Sequence, residues 1–239
     1  MIRCLSEVTF TNARFPEEAA EKITANIELN PPDFLNLLLS EESAASYGFN
    51  LETFRCMLIP NTYEVYWNIS GQKLLDRLNK EYNDFWDENR KAKAAEIGLS
   101  PIEVSILASI VQAETSERDE LPVVAGLYLN RLTMHMPLQA DPTLIYAVGD
   151  FTIKRVLNIH KEVESPYNTY KHAGLPPGPV NYPDITAIDA VLNFTKHDYI
   201  YMCAREDFSG YHNFASTLRE HNRNASRYQQ ALNKAKLYR

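Results

Sequence analysis

One carboxylate of this chain, Glu114, falls where a helix built only for packing would carry an apolar side chain. The residues of the apolar stripe before it recur three and four positions apart: Val104, Leu107, Ile110 and Val111. The same spacing puts Glu114 on their face, whereas Ser105, Ser109 and Gln112 fall on the opposite, polar face. Loss of water disfavours the charged form of a carboxyl group. We therefore predict a pKa raised by ~2 units or more, and a general acid that works near neutral pH.

The spacing of Glu114 leaves alternatives open. Its side chain could face solvent at a frayed helix end and pair with Arg118, four residues further on. An ordinary glycoside hydrolase also needs a second carboxylate, for which Glu117, Asp119 and Asp141 are candidates. Asp119 equally suits the cap of the helix that follows it. The distance between two carboxyl groups cannot be read from a sequence, so mechanisms with one and with two carboxylates both stay open.

The elements around Glu114 are signalled by capping residues and periodicity. Ser100, Pro101 and Glu103 form the capping box of the helix that carries it. Further predicted elements are a helix at about 122–133, a loop-rich region from 140 to 185, a helix at 185–194, a β-type run at 199–204, a turn at 207–210, a partner strand at 211–214 and a final helix from 216 or 217.

The first half of the chain shows a looser pattern. The predicted elements are a strand at 6–10, a helix from Pro16 to about 29, a helix after Pro31 and Pro32, a loop at 58–63 and one long charged helix at about 70–95. The polar stretch 40–46 contains no periodic apolar residues, so we place the edge of a module there.

Several short blocks occur in one order around Glu114. They are Ile59–Tyr63 (IPNTY), Ala108–Thr115 (ASIVQAET), Asn130–Leu132 (NRL), Leu138–Thr143 (LQADPT) with Tyr146, Tyr167–Tyr170 (YNTY), Gly174–Pro179 (GLPPGP), and His212–Phe214 (HNF) with Thr217 and Glu220–Asn222 (EHN). In sequence and spacing they resemble the MltG (YceG-like) family of endolytic murein transglycosylases over residues 59 to 228. An ordered series of this kind is far more specific than one short motif.

The resemblance implies that Glu114 is the single acid/base that cleaves the bond between MurNAc and GlcNAc in peptidoglycan glycan strands. The family's product is a 1,6-anhydro-MurNAc end, because the C6 hydroxyl of the sugar attacks its own anomeric carbon. No enzymic nucleophile, metal or cofactor is then expected. The substrate-binding residues that the blocks suggest are Gln139, Asp141, Tyr146, Asn168, Tyr170, His212 and His221.

The resemblance also implies a division of the chain. Residues 1–46 are expected to be the end of a LysM-like module with connecting helices, and residues 47–239 the catalytic domain. Because full-length members begin with an inner-membrane helix and a complete LysM-like module, the start at Met1 is expected to be a truncation.

The expected location is the periplasmic face of the inner membrane, with attachment only through an N-terminal anchor absent from this chain. Glycan strands are the expected partner, and peptidoglycan synthases are candidate protein partners. Residues 154–164 receive no role.

Composition narrows the classes of function. With 239 residues, of which 45% are hydrophobic, the chain can bury a sizeable core. A net charge of -7 and the lack of a basic stripe argue against a nucleic-acid partner. We predict an α+β fold: a helix-dominated catalytic domain with a small antiparallel β element, preceded by the remnant of a LysM-like module.

Two other classes of function stay open. A metal-dependent cell-wall hydrolase or amidase would use His212 and His221 with a carboxylate, and a chelator would stop it. A noncatalytic glycan-binding module would show no turnover, and it would still bind glycan after Glu114→Gln. The ordered blocks around an inward carboxylate favour the transglycosylase.

Overall fold

The computed structural model describes residues 4–153 and 156–235, so Lys154 and Arg155 lie outside the described residues. In chain order, the elements are β1 (Leu5–Phe10), α1 (Pro16–Thr24), α2 (Pro31–Leu38), α3 (Glu41–Ser46), a 3-10 helix (Phe54–Met57), β2 (Asn61–Tyr66), α4 (Gly71–Phe85), α5 (Glu88–Glu96), α6 (Pro101–Glu114), α7 (Leu121–Thr133), α8 (Asp141–Val148), a 3-10 helix (His160–Glu162), α9 (Ile185–Leu192), β3 (Tyr201–Ala204), β4 (His212–Ala215) and α10 (Leu218–Lys234). Helices dominate and two small antiparallel sheets supply the β part, which confirms the α+β prediction.

The chain divides into two compact units. The first consists of Met1–Ser109 with Pro177–Leu192, and the second of Ile110–Pro176 with Asn193–Arg239. The boundary predicted between residues 46 and 47 stays a prediction, as does the LysM-like assignment of the residues before it. β1 and β2, which pair with each other, lie on opposite sides of that predicted boundary.

The first unit contains the sheet of β1 and β2. The strands are antiparallel, with Leu5 opposite Tyr66 and Phe10 opposite Asn61. Side chains alternate between the two faces of a strand, and the buried face carries Val8, Phe10, Tyr63 and Val65. The strand predicted at 6–10 is therefore confirmed. β2 begins inside the segment 58–63 that was predicted as a loop, because Asn61 and Thr62 already pair with β1.

Two helix predictions in the first unit were too long. The helix from Pro16 ends at Thr24 and not near 29, and the backbone N–H of Glu28 binds the carbonyl of Trp67 instead of a helical partner. The long helix predicted at 70–95 is broken between α4 and α5. There the carboxylate of Asp87 accepts a hydrogen bond from the N–H of Arg90 and so starts a new helix.

The structure of the polar stretch 40–46 also differs from the prediction of a module edge without a helix. It forms α3, whose first turn is capped by the hydroxyl of Ser40, which accepts a hydrogen bond from the N–H of Ser43. Serine at the cap with Glu41 and Glu42 in the first turn is a helix start signal. The absence of a long apolar stripe hid that signal, because a helix of six residues presents too few positions to show one.

Helix α6 follows its predicted start. Ser100 and Glu103 exchange the two hydrogen bonds of a capping box, between the N–H of each residue and the side chain of the other. Its predicted polar face is wrong, because Ser105 and Ser109 are buried. The hydroxyl of Ser105 donates to the carbonyl of Pro101, and that of Ser109 donates to the carbonyl of Ile106. Small hydroxyl side chains that bond their own helix can be buried at low cost.

The second unit combines α7, α8, α10 and the hairpin of β3 and β4. The hairpin is antiparallel, with Tyr201 opposite Ala215 and Ala204 opposite His212, and α10 packs against both strands. α7 and α10 match their predictions, and Thr217 caps α10 by accepting from the N–H of Glu220. α8 was missed in a region predicted as loop, although Pro142 in its first turn and Gly149 after its end are ordinary boundary signals.

No single helix of the described ranges is long and apolar enough to cross a membrane. α5 and α6 meet the criteria of length and composition only when taken as a pair, and that pair is bent by 75°.

Candidate active site

The second unit contains a pocket with Glu114 in its wall. Its volume is about 220 Å³. The lining residues are Glu114, Leu127, Tyr128, Arg131, Leu138, Gln139, Asp141, Tyr170, Met202, Cys203, Ala204 and His212. Five of the eight residues predicted from sequence as site residues are among them: Glu114, Gln139, Asp141, Tyr170 and His212. The pocket thus draws on the end of α6, on α7, on the segment that leads into α8, and on the hairpin.

Glu114 is the last residue of α6, and its side chain is held by α7. The hydroxyl of Tyr128 donates a hydrogen bond of 2.5 Å to Oε1 of Glu114. Tyr128 is itself buried, with an exposed fraction of 2%. The alternative in which Glu114 pairs with Arg118 in solvent is therefore not the arrangement in the structure, where Glu114 faces the pocket and Arg118 is exposed.

The pKa of Glu114 is raised from 4.5 to about 7. The largest cause is burial, which removes water from around the charged form, and the negative charge of Asp141 raises the pKa further. The hydrogen bond from Tyr128 and the positive charge of Arg131 oppose this by favouring the carboxylate. A carboxyl group with its pKa raised in this way keeps a protonated population near neutral pH, which is the form that a general acid needs.

Tyr128 stays a donor in this pair. Burial and the neighbouring Glu114 carboxylate raise the pKa of its hydroxyl well above 10. A phenol with so high a pKa does not lose its proton to a carboxylate. Tyr128 therefore keeps its proton over the physiological pH range and donates whenever Glu114 is a carboxylate.

Arg131 builds the pocket wall through hydrogen bonds to backbone carbonyls. Its Nε donates to the carbonyl of Ile200 at 2.7 Å, and its NH1 group donates to those of Leu138 at 2.7 Å and Pro137 at 3.2 Å. The side chain is buried and its charge still reaches Glu114. The sequence blocks included Arg131, but we assigned it no role.

Asp141 and Tyr170 form a second pair in the pocket. The hydroxyl of Tyr170 donates to Oδ1 of Asp141 at 2.5 Å, and burial together with this bond raises the pKa of Tyr170. The ammonium group of Lys161 lies over the Tyr170 ring, 4.6 Å from its centroid. Gln139 precedes the pair with a backbone φ of 50°, in the left-handed region that non-glycine residues seldom adopt. Such conformations are concentrated at functional sites.

A buried network of hydroxyls holds Gln139, Asp141 and Tyr170 in register. The hydroxyl of Thr169 accepts from the N–H of Ala140 at 3.0 Å and lies 2.7 Å from the hydroxyl of Thr143. The carbonyl of Thr169 accepts from the N–H of Gln139. This network joins the start of α8 to the segment before Tyr170.

The side chain of Asn168 stabilises the segment before Tyr170 through hydrogen bonds to the backbone. Its side chain is fully buried, and its amide donates to the carbonyls of Lys161 and Val163 while its oxygen accepts from the N–H of Tyr170. Its polar atoms are thus engaged by the protein, and the side chain does not line the pocket. In this structure Asn168 positions Tyr170, and its predicted contact with substrate stays a prediction.

Tyr146 and His221 lie outside the pocket lining. Tyr146 packs against Tyr167, with ring centroids 4.7 Å apart, and His221 is stacked on Tyr201 at 5.3 Å. Burial lowers the pKa of His221, and Nδ1 of its ring is buried without a hydrogen-bond partner among the described residues. Both rings pack against tyrosines, and the substrate-binding role predicted for Tyr146 and His221 stays a prediction.

The three candidates for a second carboxylate differ in position relative to the pocket. Asp141 lines the pocket, whereas Glu117 and Asp119 do not. Asp119 accepts hydrogen bonds from the hydroxyl of Tyr211 at 3.1 and 3.2 Å, and the cap position of α7 is Glu120, whose side chain makes no capping bond. The predicted capping role of Asp119 is therefore wrong.

Glu120 is the residue that sequence reasoning missed. Its carboxylate is buried and accepts from the backbone N–H of His212 at 2.8 Å, from Nδ1 of the same residue at 2.9 Å and from the hydroxyl of Thr115 at 3.2 Å. A signal existed, because an acidic residue directly before Leu121 and Pro122 is well placed for the start of a helix. Its partner His212 is 92 positions away along the chain, so the contact could not be predicted from sequence.

The hypothesis of a metal site receives no support from side-chain geometry. Across residues 4–153 and 156–235, no group of three or more His, Cys, Asp or Glu side chains is arranged to hold a metal ion. His212 is engaged by Glu120, while His221 is engaged by Tyr201.

Fold and site together define a helix-rich α+β protein with a polar pocket that contains a carboxyl group of raised pKa. The chain belongs to the YceG-like family, whose sequence model matches residues 3–227. This confirms the resemblance found in the blocks around Glu114.

Relatives of known name are similar over most of the chain. An endolytic murein transglycosylase of Bacillus subtilis is 35% identical over 159 residues, which are 66% of this chain and 43% of that protein. One of Streptococcus pneumoniae is 29% identical over 205 residues, or 82% of this chain and 35% of that protein. A crystal structure of a yceG-like protein of Listeria monocytogenes superposes with a TM-score of 0.76 at 27% identity, covering 91% of this chain and 75% of that one. The chain thus spans less than half the length of the two named transglycosylases.

Proposed function

We propose that this chain is the catalytic part of an endolytic peptidoglycan lytic transglycosylase. It cleaves the bond between MurNAc and GlcNAc within glycan strands and leaves 1,6-anhydro-MurNAc ends. The observation that carries the proposal is the carboxyl group of Glu114, with a pKa of about 7, in the wall of a polar pocket. The names of the Bacillus subtilis and Streptococcus pneumoniae relatives support the substrate and the reaction.

One carboxyl group suffices for this reaction. Protonated Glu114 gives its proton to the glycosidic oxygen as the bond to the anomeric carbon breaks. The C6 hydroxyl of the same MurNAc then bonds to that carbon, and the Glu114 carboxylate takes the hydroxyl proton. The residue ends protonated, as it began. A pKa near the working pH serves both steps, and each proton transfer contributes on the order of 10² to 10⁴ in rate.

The surrounding side chains have roles that fit this reaction. Tyr128 holds Oε1 of Glu114 through one hydrogen bond, which leaves Oε2 to the substrate. The Asp141 carboxylate lines the same pocket, where a negative charge favours the positive charge that develops on the sugar ring in the transition state. Gln139, Tyr170 and His212 supply polar groups for sugar hydroxyls and acetamido groups.

The decisive experiment is mass spectrometry of products released from purified peptidoglycan. Wild type is compared with Glu114→Gln and with Glu21→Gln, which neutralises an exposed carboxylate in α1. We expect anhydro-MurNAc ends from wild type and from the Glu21 variant, and none from the Glu114 variant. Reducing ends from wild type would instead indicate hydrolysis, with Asp141 as the candidate second carboxylate. Binding without products would indicate a glycan-binding module, and loss of activity to a chelator would indicate a metal enzyme.

The proposed location follows from the substrate. We place the full-length protein at the periplasmic face of the inner membrane, next to the peptidoglycan and to the synthases that are its candidate partners. Cell fractionation of the full-length protein tests the location, and recovery of the protein only from the cytosol would contradict it.

A further inference from the structure

The carboxylate of Glu120 connects three parts of the second unit. It lies at the start of α7 and binds the hydroxyl of Thr115, the residue directly after Glu114, and it binds His212 at the start of β4 through two hydrogen bonds. All three donors are within 3.2 Å, and the carboxylate is 5% exposed. A buried carboxylate that is fully engaged in this way is a rigid acceptor.

This arrangement determines which nitrogen of His212 is protonated. A carboxylate only accepts hydrogen bonds, so the contact of 2.9 Å between Oε2 of Glu120 and Nδ1 of His212 requires a proton on Nδ1. The neutral ring then has an unprotonated Nε2, which can only accept. Within the described part of the chain Nε2 has no hydrogen-bond partner, and the ring lines the pocket that contains Glu114.

We propose that Glu120 is a positioning residue that holds His212 as the Nδ1–H tautomer, so that Nε2 accepts a hydrogen bond from the bound glycan. The donor is a sugar hydroxyl or an acetamido N–H. The second bond, from the backbone N–H of His212 to Oε1 of Glu120, fixes the start of β4 and therefore the direction of the ring. The identity of the ligand rests on the proposed function, whereas the tautomer of His212 does not.

The first test is the protonation state of His212 in the wild-type protein. Nitrogen NMR distinguishes the two neutral tautomers, and the signal is assigned by its loss in His212→Ala, since the chain has 6 histidines. The measurement is made at a series of increasing pH values until the His212 signal no longer changes, so that it reports the neutral ring. We expect a proton on Nδ1, and a proton on Nε2 overturns the proposal even if every variant fails to fold.

The second test changes the tautomer. In Glu120→Gln the amide oxygen keeps the bond from the backbone N–H of His212, and the amide NH₂ group faces Nδ1. The ring is then expected to switch to the Nε2–H form and to present a donor where the glycan needs an acceptor. Asp119→Asn is the matched control, because it neutralises the adjacent carboxylate, which binds Tyr211 and not His212. The control is expected to keep the wild-type tautomer.

Kinetics on soluble, uncrosslinked glycan strands show whether the tautomer matters for binding. We expect Glu120→Gln to raise KM by about tenfold with a smaller change in kcat, because the mismatched contact is made to substrate and not to the reacting atoms. Asp119→Asn keeps the wild-type KM. If Glu120 acts through His212, then Glu120→Gln combined with His212→Ala is no worse than His212→Ala alone. Additive effects, or a fall in kcat with KM unchanged, contradict the proposal.

The two proposals fail separately. If wild type releases no anhydro ends but His212 carries its proton on Nδ1, the proposed function fails and the positioning role of Glu120 stands. If wild type is active and His212 is the Nε2–H tautomer, only the positioning role fails. Strands with their N-acetyl groups removed identify the donor: the KM difference persists for a hydroxyl and disappears for an acetamido N–H.

Discussion

The hydroxyl of Tyr128 donates a hydrogen bond of 2.5 Å to Oε1 of Glu114, and this contact joins the end of α6 to the buried side of α7. The bond favours the carboxylate, whereas burial favours the protonated acid, and the pKa of about 7 is the result of these opposing effects. Tyr128 is thus the residue through which the working pH of the site can be altered while Glu114 stays in place.

Replacing Tyr128 with Phe is expected to move the pH range of activity upward. The change removes the hydrogen bond that lowers the pKa of Glu114 and leaves burial in place, so the pKa rises above about 7. Glu114 then stays protonated to higher pH, and the alkaline limb of the kcat/KM profile shifts in the same direction. The measurement is that profile on soluble glycan strands. An unshifted limb, or one displaced to lower pH, would contradict the assignment of Glu114 as the acid.

Replacing Glu114 with Gln is expected to stabilise the protein at alkaline pH. Below pH 4.5 the carboxyl group is protonated in both the folded and unfolded states, and above about pH 7 it is ionised in both. The folded state then bears the cost of a buried charge, so wild type loses stability as the pH rises through this window, by up to about 3 kcal/mol. The Gln variant does not ionise and lacks this loss.

Urea unfolding at pH values below and above the window measures this effect. Glu114→Gln is expected to match wild type at the acidic end and to exceed it at the alkaline end. Glu21→Gln, on the exposed side of α1, is the control and should follow wild type at both. Equal free energies of unfolding for wild type and Glu114→Gln at alkaline pH would mean that the pKa of Glu114 is not raised.

Replacing Arg131 with Ala is expected to lower the free energy of unfolding by about 3 kcal/mol. The guanidinium group binds the carbonyls of Pro137, Leu138 and Ile200, and each acceptor left without its donor costs about 1 kcal/mol. Urea unfolding measures the loss. Arg223→Ala, an exposed position on α10, is the control. A loss no larger than that of the control would show that the wall of the pocket does not depend on Arg131.

Replacing Tyr170 with Phe is expected to lower kcat/KM by about 3- to 10-fold. The change removes the hydrogen bond to Asp141, and a bond of this kind is typically worth about 0.5–1.5 kcal/mol. Tyr47→Phe is a matched control, because Tyr47 donates a similar bond of 2.6 Å to Asp76 in the first unit. Equal effects of the two variants on kcat/KM would contradict a role for the pair of Tyr170 and Asp141 in the site.

Local signals in the sequence were sufficient where neighbours along the chain decide the structure. The capping box of Ser100 and Glu103 predicted the start of α6, and the apolar spacing along that helix predicted that Glu114 turns inward. The same reasoning failed for the break at Asp87 and for α8, because short helices and caps compete with a longer pattern and their outcome depends on packing.

The ordered blocks were enough to identify the family, since their residue types and order are properties of the chain itself. The contacts of each polar residue, by contrast, depend on the folded arrangement of the chain. Glu120 and His212 are 92 positions apart, and Asn168 turned out to hold the backbone of Tyr170. The sequence determined which groups are available for proton transfer and hydrogen bonding. The fold determined which of them face the pocket and how far burial moves a pKa, because both depend on distances between residues that are remote along the chain.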